Sequence, residues 1–248
     1  MENVTSKKMK IRPRATIKAV IAYAIVLLIS FIFAFPCIWL ILSAFNANGS
    51  LLTLDGFFPE SYSFDTFKTL FTEKVEHDYM TWFGNTLFVA GISCVISTAL
   101  VLAVSYTMSR YRFKSRKQMM KATLVLNIFP NFMNMTALFV IMTQFDLINN
   151  LWGLILLYSS GATMGFLVQK GFFDTIPSSI YDAATLDGAT DLRVFVSIVL
   201  PLSKPMIVYT ALTAFVWPWS DFMLPKLLLP DKSQWTVAIG LKDRKSVV

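Results

Sequence analysis

Long apolar runs constrain this chain more than any other feature of its sequence. Five segments are apolar enough, and long enough, to cross the roughly 30 Å hydrocarbon core of a bilayer, which takes about 20 helical residues each. They are residues 19–45, 85–108, 123–143, 151–168 and 206–229. Only 15% of the 248 residues are charged, whereas soluble domains have about 25%. The sequence therefore predicts an all-α integral membrane protein with five transmembrane helices.

Charges in the connecting segments predict the orientation of these helices. Lys and Arg cluster before the first apolar run, at positions 7 to 18, and between the second and third runs, in RYRFKSRKQMMK. Cytoplasmic loops carry such an excess, so we expect residues 1–18 in the cytoplasm and the mainly acidic residues 46–80 outside the cell. By alternation, residues 177–205 face the cytoplasm. The net charge of +7 thus reflects orientation and contact with membrane lipid, and nucleic acid is not an expected partner.

The connection between the fourth and fifth runs, TIPSSIYDAATLDGATDLRVFVSIVLPLSKP, is unusually rich in polar and small residues. Pro177 fixes an entry turn, and Ser179 followed by Asp182 resembles a capping box at the start of a helix. Gly188 can adopt the left-handed conformation that ends a helix. The first part of the connection is therefore predicted to be a short helix of about two turns.

A second short helix is expected in DLRVFVSIVL. Thr190 or Asp191 can cap its start, and Pro201 is expected to stop it. The whole connection is thus predicted to be a helix–glycine–helix elbow. The residues alone leave two interpretations open: an amphipathic segment that packs beneath the membrane helices, or a docking element for a cytoplasmic partner.

The elbow resembles the "EAA" loop of binding-protein-dependent ABC transporter permeases, with an aspartate where that family usually has glutamate. The positions that carry the resemblance are Asp182, Ala183, Ala184, Gly188, Ile198, Leu200 and Pro201. Elsewhere, FPCIWLILSAFN, GNTLFVA, SYTMSRYRF, WPWSDFMLPKLLL and WTVAIGL are similar to segments of the maltose/maltodextrin-type carbohydrate permeases, including relatives that handle galacto-oligosaccharides. The resemblance covers most of the chain.

This resemblance implies a type I ABC permease fold in a bacterial plasma membrane. The family has six transmembrane helices with both ends inside, so the chain resembles a permease that lacks the last one. Residues 81–248 would form the permease domain, with the coupling loop at 177–205. Expected partners are cytoplasmic ATPase subunits, a second related permease and an extracellular sugar-binding protein. The loop would insert into a cleft on the ATPase, where Ala183 and Ala184 permit close approach, and Leu200 and Pro201 would orient it.

No catalysis, cofactor or metal is expected in this subunit. It has no GxxxxGK[ST] phosphate-binding loop, and the resemblance implies that partner subunits hydrolyse ATP. Cys37 and Cys94 lie inside apolar runs, where cysteine is a small packing residue, so neither a disulfide nor a metal site is expected. A permease for another solute, a membrane-embedded enzyme and a secondary transporter are the alternatives.

Three polar residues inside the apolar runs are candidates for the solute pathway or for a subunit interface. Asn131 and Asn134 can hydrogen-bond sugar hydroxyls or bridge helices. Asp221 is an acid deep in the fifth run, where charge is costly. It either lines the pathway or caps a helix that breaks beside Pro218 or Pro225.

Overall fold

The computed structural model describes residues 13–46, 61–72, 78–126, 128, 131–161 and 165–245. These residues are helical apart from short connections and an isolated bridge between Asn46 and Tyr62. They divide into two compact units, Met1–Thr72 and Glu73–Val248. The predicted basic N-terminus therefore lies mostly outside the described residues, as does most of the predicted external segment 46–80.

The first unit consists of one long helix and one short helix. Helix α1 is Pro13–Ala44 and α2 is Asp65–Thr72. Apolar side chains are exposed along most of the length of α1, as expected for a helix surrounded by lipid. Phe45, just after α1, packs its ring 5.3 Å from that of Phe64 and 5.2 Å from that of Phe67.

The second unit is a bundle built around one long helix. Its helices are α3 (Tyr79–Arg110), α4 (Arg116–Leu126), α5 (Asn131–Gln144), α6 (Leu151–Ser160), α7 (Gly165–Phe173), α8 (Ser178–Leu186), α9 (Asp191–Val194), a π-helix (Phe195–Val199), α10 (Leu200–Leu202), α11 (Lys204–Ser220), α12 (Met223–Leu228), a 3₁₀ turn (Lys232–Gln234) and α13 (Val237–Lys245). Helix α3 packs against α6, α7 and α11. At 1.5 Å per residue it is about 48 Å long.

Helix α3 combines apolar length with hydroxyl groups that are satisfied locally. Asp78 caps its start by accepting the Thr81 N–H at 3.1 Å. The hydroxyls of Thr86, Ser93 and Thr107 donate to main-chain carbonyls four residues earlier, at 2.8, 2.5 and 2.9 Å. These three hydroxyls therefore do not depend on a neighbouring helix for an acceptor, whereas the Ser105 hydroxyl donates to the Phe166 carbonyl of α7 at 3.0 Å.

One apolar cluster lies at the start of α3. Its buried members are Trp82, Val89, Met142, Leu154, Ile155, Leu157, Leu224, Leu228, Leu229, Trp235, Val237 and Ile239. Hydrogen bonds fix α13 and the preceding turn to the same end of α3. Asn85 donates to the carbonyls of Ser233 and Trp235 at 2.8 and 3.0 Å, and Thr86 Oγ1 accepts the Val237 N–H at 2.9 Å.

A second apolar cluster lies at the other end of α3. Its buried members are Leu102, Tyr106, Phe173, Tyr181, Ala184, Val194 and Val199. They come from α3, α7, α8, α9 and the π-helix. The predicted elbow is therefore packed at the same end of α3 as the basic stretch that follows Arg110.

The helices agree only partly with the five predicted spans. Among the described residues, two helices, Ile17–Ala44 and Tyr79–Arg110, are long and apolar enough to cross a membrane. The number rises to four if α6 with α7, and Asp191–Leu202 with α11, each count as one bent span. The predicted third span, residues 123–143, is divided between the end of α4 and α5.

The fifth apolar run, residues 206–229, is not one helix. Helix α11 ends at Ser220, and Asp221 has an extended backbone. Its Oδ1 accepts the N–H groups of Met223 and Leu224 at 3.1 and 3.4 Å. The carboxylate thereby satisfies main-chain donors that the first turn of α12 leaves free. The run is thus interrupted at Asp221, between α11 and α12.

Candidate functional site

The elbow contains the two helices that the sequence predicts, but its start differs from the prediction. Helix α8 begins at Ser178, with Pro177 at the cap position and no side-chain hydrogen bond to the cap. Ser179 and Asp182 are both exposed. The predicted capping box does not form, because α8 begins one residue before Ser179, and Ser179 is therefore already inside the helix.

The glycine and the second cap agree with the prediction. Gly188 has φ of +76°, in the left-handed region that glycine enters without steric cost. Its N–H donates to the Thr185 carbonyl at 3.0 Å and closes the end of α8. Thr190 then caps α9, because its Oγ1 accepts the Arg193 N–H at 3.4 Å.

The second helix of the elbow continues past Pro201, where the sequence predicted its end. A π-helical segment, Phe195–Val199, precedes the proline, and the Leu200 N–H donates to the Phe195 carbonyl. A proline within the first turn of α10 needs no N–H partner there. The break comes instead at Ser203, where the Asp191–Leu202 helix and α11 meet at 82°.

Helix α8 presents two different faces. Tyr181 and Ala184 are buried against the rest of the chain, and Ala184 is only 7% exposed. Asp182 and Ala183 are exposed. The two alanines that the sequence treated as one approachable surface therefore point in different directions. Ala183 lies on the exposed face of α8.

The other predicted positions lie at the second half of the elbow. Ile198 and Leu200 are half-buried and pack against the cluster around Tyr106. Pro201 is exposed. The apolar contacts of Ile198 and Leu200 hold this part of the elbow against the bundle.

The outer surface of the elbow carries two protruding leucines and a recess. Leu186 is 89% exposed and Leu192 is 71% exposed, one on each side of Gly188. Beside them is an open recess of about 240 Å³. Its lining residues are Ala184, Asp187, Ala189, Arg193, Val194, Ser197 and Ile198. This surface thus presents to a partner two exposed leucines and a recess lined by one acidic residue, Asp187, and one basic residue, Arg193.

The last residues of α3 contact three successive parts of the chain. Ser109 Oγ donates to Asp174 Oδ1 at 2.6 Å, just after α7. The Arg110 guanidinium carbon lies 4.7 Å from the centre of the Tyr181 ring on α8. Tyr111 OH donates to an Asp191 carboxylate oxygen at 2.7 Å, at the start of α9. Sequence reasoning assigned no site role to these contacts, and treated the α3 end only as part of a basic loop.

The contacts at this end of α3 shift the pKa values of the groups involved. The hydrogen bond to Asp191 raises the pKa of the Tyr111 phenol. Burial raises the pKa of Asp174, but hydrogen bonds from Lys170 and Ser109 outweigh it and lower the pKa overall. Lys170 is itself buried and forms an ion pair with Asp174. At neutral pH Asp174 is therefore a charged acceptor, and Tyr111 is a neutral donor.

The remaining candidates lie away from the elbow. Besides capping α12, Asp221 accepts a hydrogen bond from Tyr158 OH at 3.0 Å. This geometry fits the helix-capping alternative. Asn134 is exposed on α5. Asn131 is the first residue of α5, and its side chain lies outside the described part of the structure.

Comparison with known proteins agrees with this architecture. Residues 96–244 match the family described as "binding-protein-dependent transport system inner membrane component". The maltodextrin transport system permease protein MalD of Streptococcus pneumoniae is 38% identical over 96% of this chain and 83% of its own length. The galactooligosaccharides transport system permease protein GanQ of Bacillus subtilis is 34% identical over 92% of this chain and 81% of its own.

The fold comparison leads to the same group of proteins. A crystal structure of a bacterial ABC transporter involved in the import of the acidic polysaccharide alginate contains a chain that superposes with a TM-score of 0.77. The superposition covers 96% of this chain and 83% of the other, at 18% identity, so it establishes likeness of fold. With the family match and the identities to the two permeases, it follows that this chain belongs to the family of binding-protein-dependent transport system inner membrane components.

Proposed function

We propose that this chain is a permease subunit of an ATP-driven importer of malto- or galacto-oligosaccharides, and that it forms half of the translocation pathway. The names of its relatives, a maltodextrin permease and a galactooligosaccharide permease, support this class of solute. Members of the family are membrane components of transport systems and not enzymes. ATP would be hydrolysed by partner subunits, and no cofactor is assigned to this chain.

The elbow is proposed as the docking element for an ATPase subunit. The observation that carries this proposal is the pair of protruding leucines, Leu186 and Leu192, on the two sides of Gly188. Complete burial of a leucine side chain contributes roughly 1.5–3 kcal/mol. A partner protein can supply that energy, and an amphipathic helix in a groove is a common way to do so.

Closure of the ATPase subunits around ATP would then move the elbow. Binding of nucleotide shifts a population between two packings of the membrane helices only if the ATPase contacts differ between them. The elbow is joined to α7 at one end and, through the 82° break at Ser203, to α11 at the other. A displacement of the elbow therefore has direct covalent routes into two helices of the bundle.

The other expected parts of the transporter follow from the same assignment. A second permease would complete the pathway, and an extracellular sugar-binding protein would deliver the solute. The N-terminus would be cytoplasmic, residues 46–80 external and residues 81–248 the permease domain, with five spans in this chain. Asn131 and Asn134 remain candidates for contact with sugar hydroxyls.

Co-purification tests the docking assignment. The Leu186→Ser variant would be expressed with the ATPase in native membranes and isolated through a tag on the permease. We expect the ATPase recovered per permease to fall about tenfold, which corresponds to the loss of roughly 1.4 kcal/mol. Leu241→Ser, at a 43% exposed leucine on α13, is the matched control and should retain the ATPase. Normal recovery with both Leu186 and Leu192 replaced by serine would rule out the docking face.

A further inference from the structure

Three consecutive residues at the end of α3 each contact a different segment around the elbow. Ser109 binds Asp174 after α7, Arg110 stacks on Tyr181 of α8, and Tyr111 binds Asp191 of α9. These partners are 65 to 80 residues further along the chain. Because α3 has no peptide connection to the elbow, these side-chain contacts are its direct link to the elbow.

Tyr106, about one turn earlier on α3, extends the contact into the π-helix. Its ring centre lies 4.6 Å from that of Phe195. Edge-to-face contacts place it 6.3 Å from Phe173 and 6.2 Å from Tyr111. Its hydroxyl also approaches the main-chain carbonyl of Asp191 at 3.4 Å. Tyr106 on α3 and Tyr111 just after it therefore hold the first residue of α9, Tyr111 through its carboxylate and Tyr106 through its carbonyl.

We propose that Tyr106 and Tyr111 are positioning residues that clamp α9 to α3, so that the elbow and α3 move as one body during transport. This proposal rests on the proposed function, because it assigns the route by which docking of the ATPase reaches the longest helix of the bundle. Docking is assigned to Leu186 and Leu192, which are not among the residues of the clamp. Loss of the clamp should therefore leave the ATPase attached and reduce the amount of sugar transported per ATP hydrolysed.

Contact with α3 gives the elbow a second route for transmitting movement to the bundle, besides its covalent connection to α11. The elbow meets α11 through a sharp break at Ser203, and the segment before that break contains the π-helix and Pro201. Irregular helical segments often act as hinges. The segment can therefore bend when the elbow moves, so that less of the movement reaches α11. Helix α3 is continuous from Tyr79 to Arg110, and a clamp on its end passes the displacement along its whole length.

The test uses the complete transporter, with this chain, its partner permease, the ATPase and the sugar-binding protein, reconstituted in vesicles. Uptake of a malto-oligosaccharide and of a galacto-oligosaccharide is measured separately, together with ATP hydrolysis. Tyr111→Phe removes the hydroxyl that donates to Asp191 and keeps the ring. We expect unchanged recovery of the ATPase and about a tenfold fall in sugar transported per ATP hydrolysed, the size of effect that loss of a hydrogen bond to a charged group gives. Tyr209→Phe, at an exposed tyrosine on α11, is the control and should transport normally.

A second pair of variants separates positioning from folding. Asp191→Asn keeps an oxygen that can accept from Tyr111, so it should retain most of the transport per ATP, whereas Asp191→Ala should resemble Tyr111→Phe. The clamp is overturned if Tyr111→Phe and Asp191→Ala both leave the sugar transported per ATP hydrolysed unchanged. It is also overturned if the Tyr111→Phe variant loses the ATPase. If the unsubstituted complex binds no ATPase or transports neither sugar, the proposed function itself fails, and the clamp fails with it.

Discussion

Replacement of Gly240 by alanine tests how closely α13 is packed on α3. A Cβ atom built on Gly240 would lie 2.0 Å from Trp82 Cε3 and 2.3 Å from Cζ3. These distances are far below the roughly 3.5–4.0 Å at which carbon atoms attract each other. Trp82 is only 3% exposed, and its indole N–H donates to the Lys232 carbonyl at 3.3 Å. The ring therefore cannot move away without breaking contacts of its own.

The magnitude follows from two opposing effects. Overpacking a buried contact costs about 1–3 kcal/mol, while alanine in place of glycine inside a helix contributes about 1 kcal/mol. Gly91→Ala on α3 is the matched control, because a Cβ there meets no heavy atom within 4 Å. The gain from placing alanine in a helix is common to both variants. Gly240→Ala should therefore be less stable than Gly91→Ala by about 1–3 kcal/mol, the cost of overpacking.

The assay is the apparent melting temperature of the purified chain in one detergent at one scan rate, since membrane proteins commonly unfold irreversibly. For a chain of this size, 1 kcal/mol corresponds to about 2–4 °C, so the two variants should differ by about 2–12 °C. Adding Trp82→Phe should shrink the difference, because the smaller ring leaves room for the methyl group. Equal melting temperatures for Gly240→Ala and Gly91→Ala would refute the close packing.

Two further predictions concern the elbow. Ala183→Glu should leave the melting temperature of the chain unchanged and reduce the ATPase recovered. Ala184→Glu should lower the melting temperature, because it buries a charge. The same response from both variants would contradict the different orientations of the two alanines. Gly188→Ala should weaken ATPase recovery several-fold, since φ of +76° costs an alanine about 1–2 kcal/mol. Gly188→Asn should do so less, because asparagine enters that region more readily, and a larger effect from asparagine would show that side-chain size, not backbone strain, decides the outcome.

Local features of the elbow were predictable because they depend on neighbours in the sequence. Gly188 ends α8 and Thr190 caps α9 as expected, since turn and cap geometry involves residues only a few positions apart. The clamp could not be predicted in the same way. Tyr111 meets Asp191 across 80 positions, and no local rule specifies which segments the bundle brings together.

Helix boundaries inside the apolar runs were less predictable, for a related reason. Hydropathy detects α3 well but treats residues 206–229 as one span. The helix in fact ends before Asp221, whose carboxylate caps the next helix and accepts from Tyr158. A single acid in an apolar run does not by itself indicate whether a pathway or a cap uses it. Likewise, the two adjacent alanines look equivalent in sequence, and only the packing of Tyr181 decides which of them is buried.

The hydroxyl groups of α3 have a consequence for how the chain enters the membrane. Thr86, Ser93 and Thr107 each bond to a carbonyl of their own helix, so these bonds exist as soon as the helix forms. A newly made α3 can then leave the translocon and remain in lipid before the later helices are synthesised, with these hydroxyls already paired. Later assembly of the bundle therefore does not have to supply partners for these three hydroxyls.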